Sequence, residues 1–335
     1  MVRDLSRDQA IERTRRLLES AGFFVSDAHH IRPTSFDLMA RRDSQLLILK
    51  VLKNIDALDP EEAARILELG RLFPAKVLVV GQTSGGTGLE AGVVYSRYGV
   101  SIVVEESLRE YVQKGIPPFL FSGPGGIFAR VDGPRLRGLR EERRISLGAL
   151  ASIAGVSRRT IQLYEEGGGA EVTVIERLER YLSEPIARPL ELFVEVPHRP
   201  PHSEPPGARD ERGPAPRPPR TTGDPLRDGV SRQLDGMGWE VSVTIRCPFD
   251  SLSHGDRRGE EMILLTSVGT LRTAQRRADL LLQLARVAEG HAMFIARETS
   301  GKRDVEGLPV LSVRELQRHR DRAELVEEIE ERGAG

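Results

Sequence analysis

The sequence predicts two mixed α/β domains flanking a small all-α domain. Three features of the 335-residue chain predict this. Through residues 1–122, short apolar strand-like runs alternate with amphipathic helical patterns. Two short helical patterns meet at Gly155-Val156-Ser157. After a proline-rich stretch, residues 226–332 repeat the element order of the first part.

Charge is abundant but balanced, with 49 lysines and arginines against 50 acids and a net charge of −1. Global charge therefore points to neither nucleic acid nor membrane, and any basic patch must be local. The single cysteine, Cys247, excludes an intrachain disulfide and a cysteine-built zinc cluster. Low cysteine content fits a reducing cytoplasm. Met1–Asp8 lacks the apolar core of a signal peptide, and no apolar run approaches membrane-spanning length. The expected location is cytoplasmic, with no membrane partner.

In the first domain, Ile11, Leu17, Leu18 and Ala21 outline an amphipathic helix ending at Gly22. Phe23-Phe24-Val25 starts a strand, Ser35–Ala40 a second, and Leu46–Leu52 reads as a buried third. Pro60 opens a helix carrying Ala63, Ala64, Ile66, Leu67 and Leu69. Lys76–Gly81 and Gly99–Val104 are further strands, and Glu105–Gln113 closes the unit as a helix with Leu108 and Tyr111 inward. The order α-β-β-β-α-β-β-α makes a mixed sheet. Pro117-Pro118 and Ser122–Gly126 break the chain, and residues 123–133 form a connector. Phe119–Phe121 and Ile127–Val131 either pair as a hairpin or run extended.

Residues 134–195 form the all-α domain, with its core at 146–166. Leu147, Leu150, Ala151 and Ala154 share a helix face. Gly155 suits a left-handed helix end, and Ser157 suits the N-cap of a second helix whose Ile161 and Tyr164 point inward. Arg158, Arg159, Thr160, Gln162 and Leu163 are left on or near the outer face. From Pro134 to Gln162 there are seven arginines and two acids, so the balanced chain turns basic here. Phosphate contacts supply most non-specific DNA affinity. Ile175, Leu178, Tyr181 and Leu182 outline a closing helix.

These residues resemble the phage lambda repressor-like (Cro/Xre-type) helix-turn-helix family. The likeness rests on Leu150-Ala151, Gly155-Val156-Ser157, Thr160-Ile161 and Tyr164-Glu165, and extends from Leu136–Arg144 to Val174–Leu182. It implies base or backbone contacts at Ser157, Arg158, Arg159, Thr160 and Gln162 on recognition helix 157–166. Ser146 can cap the preceding helix and present backbone N–H groups to a phosphate, and Arg143 and Arg144 add phosphate grip. Leu147-Gly148 departs from the commoner glutamine-bearing start of that helix.

About a third of residues 197–225 are proline, which reads as a stiff linker spanning 196–225. Beyond it, Trp239–Val243 matches Phe23–Ser26, Phe249-Asp250 echoes Phe36-Asp37, and Met262–Val268 echoes Leu47–Val51, with Thr266 set at the Lys50 position. A long helix over Arg272–Ala288, a strand over His291–Ala296 and a strand-to-helix step over Val310–Leu316 follow. Arg320–Arg332 reads as a charged, solvated helix.

Asp37 near a strand end and Lys50 on the next strand resemble the restriction-endonuclease-like fold, whose motif is Asp, then Glu/Asp-x-Lys. The resemblance implies a Mg²⁺-dependent nuclease in which two carboxylates hold the metal. Here the position two before Lys50 is Ile48, which cannot bind a hard cation. The plainer reading is that Asp37 caps a strand end and pairs with Lys50. Both α/β domains are therefore expected to be restriction-endonuclease-like but inactive, the second degenerate, with no catalytic or metal-binding residues and no cofactor.

The whole arrangement looks like the helix-turn-helix transcriptional regulators of archaea, best in Ser35–Ala40, Val51–Asp56 and residues 134–182. The expected function is sequence-specific binding of double-stranded DNA as a homodimer, with the α/β domains serving dimerisation or sensing. The alternative is a metal-dependent DNA nuclease using Asp37 and Lys50.

Overall fold

The computed structural model describes residues 6–27, 34–195, 222–257 and 260–333. Residues 196–221 of the proline-rich stretch lie outside them. Helix α1 (Arg7–Ser20) buries Ala10, Ile11, Leu17 and Leu18, and Gly22 turns at φ +83° toward β1 (Phe24–Asp27). Strands β2 (Leu38–Arg42) and β3 (Gln45–Asn54) form a hairpin with Asp43 in its turn at φ +53°. Leu46 through Leu52 are all buried, as in a strand covered on both faces. Helix α2 (Pro60–Leu72) begins on its proline, whose missing N–H is harmless there. Next come β4 (Lys76–Ser84), β5 (Thr87–Gly88), β6 (Val93–Arg97), β7 (Val100–Val103) and α3 (Glu105–Lys114).

The middle of the chain forms β8 (Leu120–Gly123), β9 (Gly126–Arg130), α4 (Gly133–Glu142), α5 (Leu147–Ala154), α6 (Arg158–Glu165), β10 (Gly169–Glu171), α7 (Val172–Leu182) and β11 (Val194–Glu195). The last part forms α8 (Pro225–Gly236), β12 (Glu240–Val243), β13 (Ser251–Arg257), β14 (Glu260–Gly269), α9 (Leu271–Ala288), β15 (His291–Ala296), β16 (Asp304–Val305), β17 (Leu308–Ser312), α10 (Val313–Leu316) and α11 (Arg322–Gly333).

The described chain gathers into two compact units that cut across sequence order. One contains Val51–Ala63 and Leu78–Val194. In it β4 runs parallel to β7, β7 antiparallel to β6, and β6 parallel to β8. The connector is a hairpin, pairing Leu120 with Ala129 and Phe121 with Phe128. A strand the sequence did not reveal, β10, then pairs with β9 through Ala170 and Ala129. Ala129, Val131 and Ala170 join Leu136, Leu150, Ile161, Ile175 and Leu178 in one buried core. The helical module is thus packed directly onto a hairpin.

The other unit contains Asp8–Lys50, Ala64–Val77 and the C-terminal residues from Glu195. Its first-repeat strands form the antiparallel meander β1-β2-β3. The second repeat forms a six-stranded sheet in the order β12-β13-β14-β15-β17-β16. Its connectivity copies the first: β12-β13-β14 is a meander, β15 runs parallel to β17, and β16 is antiparallel to it. The repeats meet through α9, whose Val287 carbonyl accepts from Arg41 Nε at 2.5 Å and whose Arg286 lies over the Phe24 ring at 5.6 Å. Phe73 and Phe249 meet edge-on with centroids 5.8 Å apart.

Two expectations change. Helix α11 is not simply solvated, because Leu325, Val326 and Ile329 recur on one face and are buried in the C-terminal core. Tyr181, expected inward on α7, is 48% exposed, since Val174, Ile175, Leu178 and Leu182 already complete the buried stripe. Among the described residues, no helix is long and apolar enough to cross a membrane.

Candidate nucleic-acid interface

Local chemistry fixes α5 and α6. Ser146 accepts a hydrogen bond from Ala149 N at 3.1 Å, and Ser157 accepts one from Thr160 N at 3.1 Å. Each serine satisfies an N–H that its helix leaves orphaned. Gly155 ends α5 at φ +72°, and a Cβ there would lie 2.5 Å from an Arg177 guanidinium nitrogen. Gly155→Ala is therefore expected to destabilise the module by about 1–2 kcal/mol from the left-handed backbone alone. The check is a lower urea midpoint at unchanged m-value. Ile161 and Tyr164 of α6 are buried in the core, and burial raises the Tyr164 phenol above its usual range. Val156 packs half-buried against the same core.

With Ile161 and Tyr164 inward, 3.6-residue periodicity turns Arg159, Gln162, Leu163 and Glu166 outward, and all four are exposed. Thr160 is half-buried, with its hydroxyl 2.8 Å from Ser157 Oγ, so both hydroxyls already serve the cap. The Arg158 guanidinium lies over Gly148, where a Cβ would come within 2.9 Å of Nε. The small residue at the start of α5 thus makes room for an arginine from α6. Leu163 was placed on the outer face by its spacing, but nothing in the sequence marked it as a contact residue. It is 49% exposed.

The arginines divide into two groups. Arg135 pairs with Glu184 at 2.7 Å and Arg137 with Glu141 at 3.0 Å. Arg140 joins Glu165 across α4 and α6, and their side chains are only 14% and 10% exposed. Hydrogen bonding to Glu165 raises the Arg140 pKa further. Among the described residues, Arg143, Arg144, Arg158 and Arg159 have no carboxylate within ion-pair distance. The basic patch therefore narrows to four exposed guanidiniums beside the N-termini of α5 and α6.

The second candidate site lies just before β2 and on β3. Asp37 N donates to Leu49 O at 2.9 Å, and Lys50 Nζ donates to Thr34 O at 3.3 Å. Asp37, Lys50 and Ile48 are all buried. Ile48 and Lys50 are two apart on one strand and share a face, so isoleucine stands where a second carboxylate would have to be. The α1 acids do not fill the gap. Glu12 is engaged by Arg15 and Arg16, whose hydrogen bonds hold its carboxyl at about 2, and Glu19 pairs with Arg15. One carboxylate, one lysine and one isoleucine do not fit a divalent cation, which wants several oxygen donors.

In the second repeat, Asp250 N donates to Thr266 O at 2.8 Å, as Asp37 N does to Leu49 O. The counterpart of Lys50 is therefore Ser267, not Thr266. The β13–β14 hairpin has seven residue pairs against five in β2–β3, and this extra length displaces the sequence echo. Leu265 occupies the Ile48 position. Asp250 accepts from Val268 N at 2.7 Å and Ser267 Oγ at 3.2 Å, and pairs with Arg227 at 3.2 Å. Its carboxylate is occupied by the protein's own donors.

Comparison with known proteins matches each of these two regions to a family. Residues 7–118 match the PD-(D/E)XK superfamily domain, and residues 136–188 match the helix-turn-helix family of the Xre type. A protein of Halorubrum lacusprofundi is 34% identical over 93% of each chain. Proteins of Haloquadratum walsbyi and Methanosarcina acetivorans are 35% and 33% identical, each over 98% of both chains. Their names call all three HTH-type transcriptional regulatory proteins. The chain belongs to this archaeal family. No solved structure matches it. The regulator therefore carries an Xre-type DNA-binding helix-turn-helix behind a PD-(D/E)XK fold. Asp37, Ile48 and Lys50 all lie within the matched residues 7–118.

Proposed function

We propose that this regulator binds specific sequences in double-stranded DNA by laying α6, from its Ser157 cap to Glu166, in the major groove. The observation that carries this reading is the set of four arginines without acid partners, 143, 144, 158 and 159. They sit on a module whose other arginines of that stretch are matched by acids. Arg143 and Arg144 grip phosphates, and Ser146 offers the N-terminus of α5 to the same backbone. Arg158, lying over Gly148, takes a phosphate beside that helix start. Arg159 and Gln162 face outward and suit guanine and adenine edges respectively. Ser157 and Thr160 act chiefly by holding the helix start in shape.

The α/β repeats serve dimerisation or sensing, and the protein works in the cytoplasm. A homodimer would place two recognition helices about one duplex turn apart and favour a palindromic site. Selection of duplexes from a random pool on the full chain tests the reading. Enrichment of a shared motif is expected, and a flat outcome would overturn it.

The α/β domains do not cleave DNA on this reading. Ile48 and Leu265 support it, since each places an apolar side chain where a metal-binding carboxylate is needed. Plasmid incubated with the protein and Mg²⁺ or Mn²⁺ is expected to stay supercoiled, with wild type and Lys50→Ala alike. Cleavage that disappears in Lys50→Ala would establish the nuclease alternative.

A further inference from the structure

We infer that the second α/β repeat carries a buried site for a small uncharged molecule, an alcohol or an amide, held by Trp239, Ser253 and Thr266 on the sheet face that α8 covers. This gives the sensing role proposed above a location. It does not depend on DNA binding, and its test uses no DNA.

The site emerges when the two repeats are aligned position by position. Asp37 and Asp250 donate alike to the neighbouring strand, which sets Leu38 against Ser251, Ala40 against Ser253 and Leu49 against Thr266. The strand registers agree, since Leu38 pairs with Leu49 and Ser251 with Thr266. Alternate residues of a strand share a face, as do residues directly opposite across the ladder. Ser251, Ser253 and Thr266 therefore lie on the face of Leu264, which packs with Val230 and Leu234 of α8. All three first-repeat residues are buried and apolar, whereas their equally buried counterparts carry hydroxyls. Trp239 likewise stands where the first repeat has Phe23. Its ring covers Gly255, the next position on this face, where a Cβ would come within 2.9 Å of it. Each of these four exchanges replaces an apolar group with one that can hydrogen-bond.

A buried polar group without a partner is costly, and native cores rarely keep one. Trp239 is 1% exposed, and Ser253 and Thr266 are 0% exposed. Among the described residues, Trp239 Nε1, Ser253 Oγ and Thr266 Oγ1 have no hydrogen-bond partner. The three occupy successive positions of one strip, so a single guest could satisfy them together. Ser251 and Thr266 are both smaller than the leucines at their counterparts, which makes room beside the strip. The indole only donates, while the hydroxyls donate or accept, so the guest needs an acceptor. Val230, Leu234 and Leu264 around it suit an apolar body. A charged guest would be buried without a counter-charge. Arg322 reaches the Gly255 position with its Cδ, but Asp256 and the Gly238 carbonyl engage its guanidinium. A lone water fits less well, because it wants several partners around one point and these atoms are strung along the strand.

Trp239 is the only tryptophan of the chain, so its indole N–H gives a single NMR signal after isotope labelling of tryptophan. The full-length protein would be titrated with propylene glycol and with propionamide. At least one probe is expected to shift that signal saturably and to show a nuclear Overhauser contact between its methyl group and the indole proton. Ser253→Ala and Thr266→Val each remove one hydroxyl with little change of shape, and each is expected to weaken the probe about fivefold, as for one lost hydrogen bond. Thermal melts followed by circular dichroism check that both variants stay folded. No saturable shift with either probe, or an indole contact to water alone, would overturn the proposal. A shift of unchanged affinity in both variants would overturn it too. None of these results bears on the DNA-binding reading.

Discussion

Arg158→Ala combined with Arg159→Ala is expected to lower affinity for a selected duplex by roughly a hundredfold or more while leaving the fold intact. Both side chains are exposed and make no ion pair among the described residues, so their loss removes nothing from the module's core. Arg159 is assigned a base edge, where a good bidentate contact is worth about 1–3 kcal/mol of discrimination. Arg158 is assigned a phosphate, and its loss should make the salt dependence shallower by about one unit of log K per log salt for each module bound. The single variants should separate the two roles. Arg158→Ala should weaken all duplexes alike, and Arg159→Ala should relax preference at one base pair. Titrations at several salt concentrations read both effects. Unchanged affinity in the double variant would mean that DNA is bound elsewhere than at the start of α6.

Glu165→Ala is expected to be among the most damaging single changes for stability, at about 3–5 kcal/mol. Arg140 and Glu165 are largely shielded from water, and the guanidinium also donates to the Ile145 carbonyl at 3.4 Å. Removing the carboxylate leaves a charge that arginine cannot shed by deprotonation. This pair ties the first helix of the module to the end of the recognition helix, so DNA binding should fall with folding. Replacing both residues together, with Arg140→Met and Glu165→Leu, should recover much of the loss, because an apolar pair of similar size carries no desolvation penalty. Urea unfolding of the three variants measures this. A cost below about 1 kcal/mol for Glu165→Ala would mean the pair behaves as an exposed surface bridge.

The helix-turn-helix was legible because its signals are local. Two serine caps, one glycine and six apolar positions in register suffice to set α5 and α6, and all six lie in the module's core or pack against it. What was missed depends on partners distant in sequence. Val93–Arg97 carries an ordinary short strand pattern, and only its pairing with β7 and β8 makes it β6. Gly169–Glu171 has almost no strand signal and becomes β10 because β9 offers it a free edge. The partner of Arg140 was equally hidden. Arg140 lies in one basic run, of which the sequence singled out Arg143 and Arg144, and the engagement of Arg140 by Glu165 is visible only once α4 and α6 are packed together. The placement of Thr266 failed because apolar runs tolerate a one-residue slip, whereas the hydrogen-bonded register does not.

The most direct test is to map the genomic fragments bound in cells by the full-length protein and by the Arg158→Ala, Arg159→Ala double variant. Wild-type fragments are expected to share one sequence motif, which as a homodimer's site would have two halves about one duplex turn apart. The variant is expected to lose those fragments while remaining folded. Wild-type fragments without a common motif, or the same fragments recovered with the double variant, would contradict recognition through Ser157–Gln162.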